Sequence, residues 1–518
     1  MSHTSGVLAD FADFITQFKN FVCGSVSQSY LGTGNGTMTL LDPRPGILSE
    51  IWTVAATSAT NFTVTGSVSG AQAAATVGTE YDNGFVRFLI SAGGTAFIAT
   101  DTFTLTALAS PLASTLVKTS YTGTGNGVCT RLSGSNETIT ETWTLTATSA
   151  TNFTVTGSVS GAQAAATVGT EYDNGFIRFR LRVGSTAFVA TDEFVLDSTR
   201  LAAGGQTWEV LKDSDVRTDF QDVTAGYIGA GNITNETTGP FNRRVYFKST
   251  GLAGTDDIYH CLSSLHSSTT YFNVQLRSMT AYNSSLTLGS QAGVSPRVYM
   301  ILNNSAAANP YRFIANGRRA MMFVRLGTVY ESGIMGWNFP NGSPTDYPMP
   351  YVCGASSYLY TSILSSQGNE HRAFFAPAGP TASGVNVQTA TLNVLARNGS
   401  SWLAVGNYAT ASAAQGDPTT GVMPLRMLAG IGSVANAADT CKQGYCYGNT
   451  DRIPRPSSVF SKYAGFKGCY GDIDGVYYVS GEALSPEDNV LDPDEIEYIC
   501  WPSTFYTHRE AFAAIKIA

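Results

Sequence analysis

The sequence predicts a mainly β protein: an N-terminal amphipathic helix, two tandem β-sandwich repeats of Ig-like size, and a large β-rich C-terminal domain. Three observations carry that prediction. A thirty-residue stretch, ATSATNFTVTGSVSGAQAAATVGTEYDNGF, occurs at 56–85 and again, unchanged, at 147–176. Within it apolar and polar residues alternate with a period of two, as half-buried strands require. Turn-forming phrases such as GTGNG, DNG and AGG separate the runs.

Composition bounds the remaining choices. A chain of 518 residues is too long for one core, so several domains are expected. Charged residues make up 13% and the net charge is −8, which argues against a nucleic-acid binder, whose phosphate contacts need clustered Lys and Arg. An apolar content of 43% is ample for packed cores. No run approaches the roughly 18–20 apolar residues of a membrane helix, so no membrane insertion is expected. The start, MSHTSGVLADFADFITQFKNFVCG, lacks the basic, apolar and small-residue regions of a secretory signal, which leads us to expect synthesis and retention in a cytosol.

The first element is a helical segment within 1–29. Residues 6–22 read as amphipathic, because Leu8, Phe11, Ile15, Phe18 and Val22 recur at three- and four-residue intervals, with Phe14 and Phe21 widening the stripe. A lone helix has no core of its own. It must pack on its own chain or on a partner; an oligomer contact is favoured, with Leu8, Phe11, Ile15 and Phe18 as its candidate residues.

The repeats follow at 30–113 and 114–204, at a constant offset of 91 residues. YLGTGNG at Tyr30 matches YTGTGNG at Tyr121, Trp52 matches Trp143, and ATDTFTL at Ala99 matches ATDEFVL at Ala190. Trp52, Val54 and Ala56 alternate with Thr53 and Ala55, and Phe62 and Val64 with Thr63 and Thr65, which sets one face inward. Thr, Val and Phe also suit a pleated, half-buried surface. The GAQAAATVGTEY segment admits either a short helical turn or a crossing over the sandwich.

Identity ends at Phe85 and Phe176. Copy one continues VRFLIS and copy two IRFRLR. The inward set survives as Val86, Phe88 and Ile90 against Ile177, Phe179 and Leu181. The outward set changes from Arg87, Leu89 and Ser91 to Arg178, Arg180 and Arg182. Two copies of one scaffold therefore meet different surroundings. The three arginines form either a solvated face or a stripe that docks on an acidic neighbour, a fellow subunit.

From about Gly205 the pattern becomes aromatic-rich and unrepeated, defining a domain over 205–518 with room for two subdomains. YRFIANGRRAMMFVRLG places Asn316-Gly317 between two β-prone runs and predicts a hairpin, as does TLNVLARNGSSWLAVG at 391–406. RRVYFKS, YFNVQLR, RVYMILN and GVYYVSG add strands, while EAFAAIKIA at the end fits helix or strand.

Motifs of catalysis are scarce. The five histidines, His3, His260, His266, His371 and His508, form no H-E-x-x-H, H-x-x-E-H or H-x-H pattern, and His260 reads as a satisfied structural residue. GSVSG at Gly66 has Val68 where a nucleophile elbow needs serine. DIDG at Asp472 reads as a turn before a strand, and DPDEIE at Asp492 as a solvated acidic turn. Among eight cysteines, Cys441, Cys446, Cys469 and Cys500 cluster late; a zinc set stays open, with buried thiols the simpler reading. We therefore expect no catalytic residue, no cofactor, no metal and no enzyme activity. DYPMPYVCGASSYLY concentrates Tyr347, Tyr351, Tyr358 and Tyr360, a candidate surface for a glycan or protein partner when exposed and an aromatic core or subunit contact when buried.

The repeat core, TVTGSVSGAQAAATVGTEYDNGF with GGTAF and DTFTLT, resembles small β modules of structural proteins in tailed bacteriophages. FIANGRRAMMFVRLGTVYESGIMGW, with YPMPYVCGASS, HRAFFAP and DIDGVYYVSG, is similar to a phage virion protein family. The resemblance covers most of the chain and implies a non-enzymatic virion subunit, assembled in host cytoplasm, in the tail, baseplate or neck (collar). It implies contacts with other phage virion proteins and a homo-oligomer, a trimer or hexamer given the symmetry of virion rings and fibres. Its alternatives are a receptor-binding adhesin or tail fibre that recognises a host surface glycan, and a capsid decoration protein.

Overall fold

The computed structural model describes residues 2–8, 11–201, 207–214, 243–250, 257–266, 271–303, 309–327, 329–337, 351–356, 392–395, 402–404, 420–424, 455–462, 466–480, 484–492, 494–501 and 511–517. The chain divides into two compact units, Met1–Ser2 with Thr16–Asp213 and His3–Ile15 with Ser214–Ala518.

The N-terminus departs from expectation. Ser2–Leu8 is a strand, β1, and the helix α1 runs only over Phe11–Cys23. The stretch SHTSGVL holds Gly, Ser, Thr and Val, all poorer helix formers than the Ala12, Gln17 and Lys19 of the helix beyond it. Asp13 complements the positive helix start. Gly24, at φ 82°, ends the helix, its amide bonding back to Asn20 O at 3.0 Å. Phe14, Ile15, Phe18, Phe21 and Val22 are all buried, as is Leu8. Phe14 meets Phe313 edge-on at 5.3 Å, and Phe18 meets Trp208 at 6.4 Å. Leu8, Ile15 and Phe18 are thus covered by their own chain, which corrects the expected subunit contact; the Phe11 side chain lies outside the described residues.

The first sandwich comprises β2 (Ser25–Leu31), β3 (Thr37–Leu40), β4 (Glu50–Ala56), β5 (Asn61–Gly66), β6 (Gly70–Thr76), β7 (Glu80–Asp82), β8 (Arg87–Ser91) and β9 (Thr102–Leu108). The second repeats it as β10 (Ser114–Thr122), β11 (Val128–Gly134), β12 (Glu141–Ala147), β13 (Asn152–Gly157), β14 (Gly161–Thr167), β15 (Glu171–Asp173), β16 (Ile177–Arg182) and β17 (Glu193–Arg200). Each has a five-stranded sheet, β2-β9-β4-β5-β6 or β10-β17-β12-β13-β14, and a three-stranded one, β3-β8-β7 or β11-β16-β15. Because β2 begins at Ser25, the first sandwich takes in the end of the expected helical segment. GAQAAATVGTEY is neither helix nor crossing. It forms β6, a turn and β7, the ladder to β5 overriding alanine's helix preference.

The predicted inward residues fill both cores. Trp52, Phe62, Phe88 and Leu105 are buried in one, and Trp143, Phe153, Phe179 and Leu196 in the other. Ring geometry is reproduced closely. Phe62 and Phe97 lie 5.1 Å apart and Phe153 and Phe188 5.0 Å, both edge-on, while Tyr81–Phe88 and Tyr172–Phe179 stack at 4.7 Å. A last strand of this unit, β18, spans Trp208–Ser214.

The second unit is also sheet-built. Its strands are β19 (Arg244–Thr250), β20 (Asp257–His266), β21 (Tyr271–Met279), β22 (Val298–Asn303), β23 (Asn309–Ala315), β24 (Arg319–Leu326), β25 (Val329–Trp337), β26 (Tyr351–Ala355), β27 (Leu392–Leu395), β28 (Trp402–Ala404), β29 (Thr420–Pro424), β30 (Arg455–Lys462), β31 (Phe466–Ser480), β32 (Asn489–Leu491), β33 (Glu497–Trp501) and β34 (Ala511–Lys516). β19 to β22 pair in sequence order, and one sheet runs β1-β23-β24-β25-β26-β27-β28. These layers pack closely: a Cβ built on Gly333 of β25 would lie 2.8 Å from both Leu276 Cδ2 and Met300 Sδ. A further sheet runs β29-β30-β31-β34-β33-β32. The Asn316-Gly317 hairpin forms as expected, Asn316 Oδ1 accepting from the Arg318 and Arg319 amides at 2.9 Å. β27 and β28 form the second hairpin. DIDG is not a turn: it lies inside the long β31, where Gly475 takes φ 73°. The final EAFAAIKIA supplies β34, a strand.

Candidate interaction surface

The sandwiches differ most where the sequence identity stops. Both carry the same acidic strand, Glu80-Tyr81-Asp82 or Glu171-Tyr172-Asp173, beside the strand whose outer face diverged. In the first, Arg87 bonds Glu80 at 2.6 Å and Arg44 bonds Asp82 at 3.1 Å. In the second, Arg178 bonds Asp173 at 2.5 Å and Arg131 bonds Glu171 at 2.5 Å. Unchanged carboxylates thus receive arginines from non-identical flanks. Arg178 is buried, and Arg180 stands opposite both Thr130 and Glu171. For Arg178 the acidic neighbour belongs to its own repeat, which replaces the expected fellow subunit; Arg180 and Arg182 are half-buried at the same strand.

Each module carries two carboxylate locks that the sequence did not single out, which tie loop amides to the sheets. Asp101 accepts the amides of Thr33, Gly34 and Ile98 at 2.8, 3.0 and 3.0 Å. Asp192 accepts those of Thr124, Gly125 and Val189, each at 3.0 Å, and the Tyr121 hydroxyl at 3.1 Å. Burial pushes both carboxyls up, yet the three amides and the tyrosine more than reverse it, leaving both pKa values lowered. Burial and the same carboxylate push the Tyr121 phenol up to about 12. The GTGNG glycines are needed here: a Cβ on Gly36 or Gly127 would lie 2.2 or 2.1 Å from the Phe97 or Phe188 ring. At the opposite end Glu50 takes the Val68 and Ser69 amides at 2.9 Å, and Glu141 those of Val159 and Ser160 at 2.9 and 3.0 Å. The signal for all four was their recurrence at 91 residues outside the identical block.

The outer edges of the five-stranded sheets also differ. β6 and β14 both carry a bulge, where two residues oppose Thr63 or Thr154. β10 carries Lys118 and a register shift between Lys118 and Ser120. β2 has neither: its register with β9 runs unbroken from Ser25 to Leu31, without charge or proline, and it ends the sheet. Val26 packs on the core, Gln28 donates to Met38 O at 2.7 Å and Tyr30 lies 4.5 Å from Phe103, so that face is tied down. Ser27, Ser29 and Leu31 point to solvent, Leu31 at 79% exposure.

The tyrosine-rich candidate fares differently. Tyr351 is buried in β26, edge-on to Trp337 at 5.0 Å, and donates to Asp257 O at 3.1 Å. It presents nothing to a glycan, which corrects that assignment and fits the buried alternative. Tyr347, Tyr358 and Tyr360 lie outside the described residues. His260 is fully buried between Ser249 Oγ at 3.1 Å and Ser278 Oγ at 3.0 Å, and burial lowers its pKa to about 3, keeping it neutral. Cys500 is a buried thiol; Cys441 and Cys446, and the side chain of Cys469, lie outside the described residues. Asp492 caps its own turn, accepting from the Asp494 and Ile496 amides and the Tyr498 hydroxyl. Among the described residues no group of three or more His, Cys, Asp or Glu is placed to hold a metal ion, and no helix is long and apolar enough to cross a membrane.

No family model matches the sequence, and no curated protein does. Two crystal forms of FlgL from Xanthomonas campestris share local similarity. One is 26% identical over 17% of this chain, with a TM-score of 0.14, and the other 16% identical over 24%, with a TM-score of 0.15. The matches span 32% and 44% of those chains, and superpositions at such scores assign neither fold nor role.

Proposed function

We propose that the chain is a non-enzymatic structural subunit of a tailed-phage virion, placed in the tail, baseplate or neck and assembled as a homo-oligomer. The observation that carries this reading is the paired sandwich. One core and one set of carboxylate locks are built twice, while variation falls on outward faces and edges. Such modules set a fixed spacing and present distinct surfaces, which is what a protein working by contact requires. The resemblance of the repeat core and of the 313–337 segment to phage virion proteins supports the same role.

The test is the assembly itself. Native mass spectrometry of the full chain should give a closed oligomer, a trimer or hexamer or a multiple of these. Cryo-EM of the intact particle should show paired sandwiches in the tail or neck. A single chain that turns over a substrate overturns the proposal.

A further inference from the structure

We infer that β2 is an assembly edge, at which the first sandwich pairs antiparallel with β2 of a second copy of this chain. This deepens the proposed role and rests on it only in expecting copies to meet. Four strands end the two five-stranded sheets, and three of them are blunted. β6 and β14 are interrupted by bulges, and β10 by a bulge beside Lys118. These are the devices by which sheet proteins prevent edge-to-edge association. The outer strands of the small sheets are short or broken instead: β3 has four residues, β7 and β15 three each, and β11 shifts register between Thr130 and Ser133. Among the edges of the two sandwiches, β2 alone offers seven unbroken residues.

Charge and sequence favour a second copy as the occupant. Residues 25–36, SVSQSYLGTGNG, hold no Asp, Glu, Lys or Arg, so two chains of net charge −8 can meet there without like-charge contact. Pairing centred on Gln28 sets Ser27 against Ser29, and Leu31, the most exposed large apolar side chain among the described residues, against Ser25 of the other copy. The arrangement is two-fold and self-complementary. It joins the two five-stranded sheets into one continuous sheet and adds a two-fold axis to any ring made by other contacts. The second sandwich carries the opposite instruction at the same places: Lys118 stands where the first has Ser27, and Thr122 where it has Leu31.

The experiment gives β2 the residue of β10. Full-length wild type and Ser27→Lys are compared by light scattering on a sizing column, with circular dichroism to confirm folding. The assembly mass is expected to halve in Ser27→Lys, and amide exchange in 25–31 to quicken. Leu31→Thr should weaken the same contact, and it replaces the lysine variant if that fails to fold. An assembly whose mass neither variant changes overturns the edge and leaves the structural role standing. A wild type at the single-chain mass of 54.8 kDa overturns both.

Discussion

The two sandwiches are one scaffold with two sets of instructions for its surroundings. Their core aromatic rings correspond position for position, and their Asp and Glu locks take equivalent backbone amides. They part company in three places. The matched arginines Arg87 and Arg178 take different carboxylates of the acidic strand, β2 is open where β10 is blunted, and one tryptophan is bonded where the other is not. Trp143 Nε1 donates to Ser198 Oγ at 3.0 Å, whereas Ala107 holds that position in the first repeat and Trp52 Nε1 finds no acceptor among the described residues. Packing therefore sets what must stay, and exposure sets what is free to diverge.

The largest test of this equivalence is removal of the central rings. Trp52→Ala and Trp143→Ala should each cost about 3–5 kcal/mol, the range for emptying a large aromatic site. Denaturant melts of the two variants should agree within the extra bond of Trp143; a first-repeat variant costing under 1 kcal/mol would break the comparison.

Acid separates the sandwiches from the second unit. The Asp101 and Asp192 carboxyls titrate lower in the fold than in the unfolded chain, whose value is about 3.9. Their stabilisation is complete above that pH and is lost as pH falls through the folded values. His260 has the opposite charge type but the same slope. Neutral in the fold down to about pH 3, it protonates near 6.5 once unfolded, so the second unit should weaken from about pH 6.5 downward. Melting followed from pH 7 to 3 should show the second unit failing first; His260→Gln should flatten its early loss, and Asp101→Asn with Asp192→Asn the later one.

Smaller effects sharpen the contrast. Ser198→Ala leaves a buried indole N–H without its partner and should cost about 1–3 kcal/mol, while Ala107→Ser should recover part of such a bond in the first repeat. Least of all, Glu80→Gln breaks an exposed pair and should leave the melting temperature within error. Glu171→Gln removes a partner from the buried Arg131 guanidinium and should lower it measurably.

Much of this fold was legible in the sequence. Period-two alternation gave the inward faces of β4, β5, β8 and their copies, and Asn316-Gly317 gave its hairpin, because both rest on local chemistry. The N-terminal helix was legible as a helix, but not its destination. Periodicity shows that Phe14 and Phe18 must be covered, without showing that Phe313 and Trp208 cover them. β1 was missed because its seven residues, mostly small and polar, carry no strong period. The arginine stripe was visible, yet its end point depended on which strand lay alongside. Asp101 and Glu50 were overlooked because a carboxylate that binds backbone amides leaves no partner side chain to spot.

The thirty shared residues also have a consequence for how the chain reaches this state. They supply the turn into β5, all of β5, β6 and β7, and their twins, so either block presents the same hairpin to β4 or β12 during synthesis. Only neighbours that differ between the repeats outside the block, such as Val54 against Leu145 or Met38 against Cys129, can tell the right hairpin from its double. Vectorial emergence from the ribosome, which lets the first sandwich close before the second hairpin exists, then becomes part of what makes the product unique.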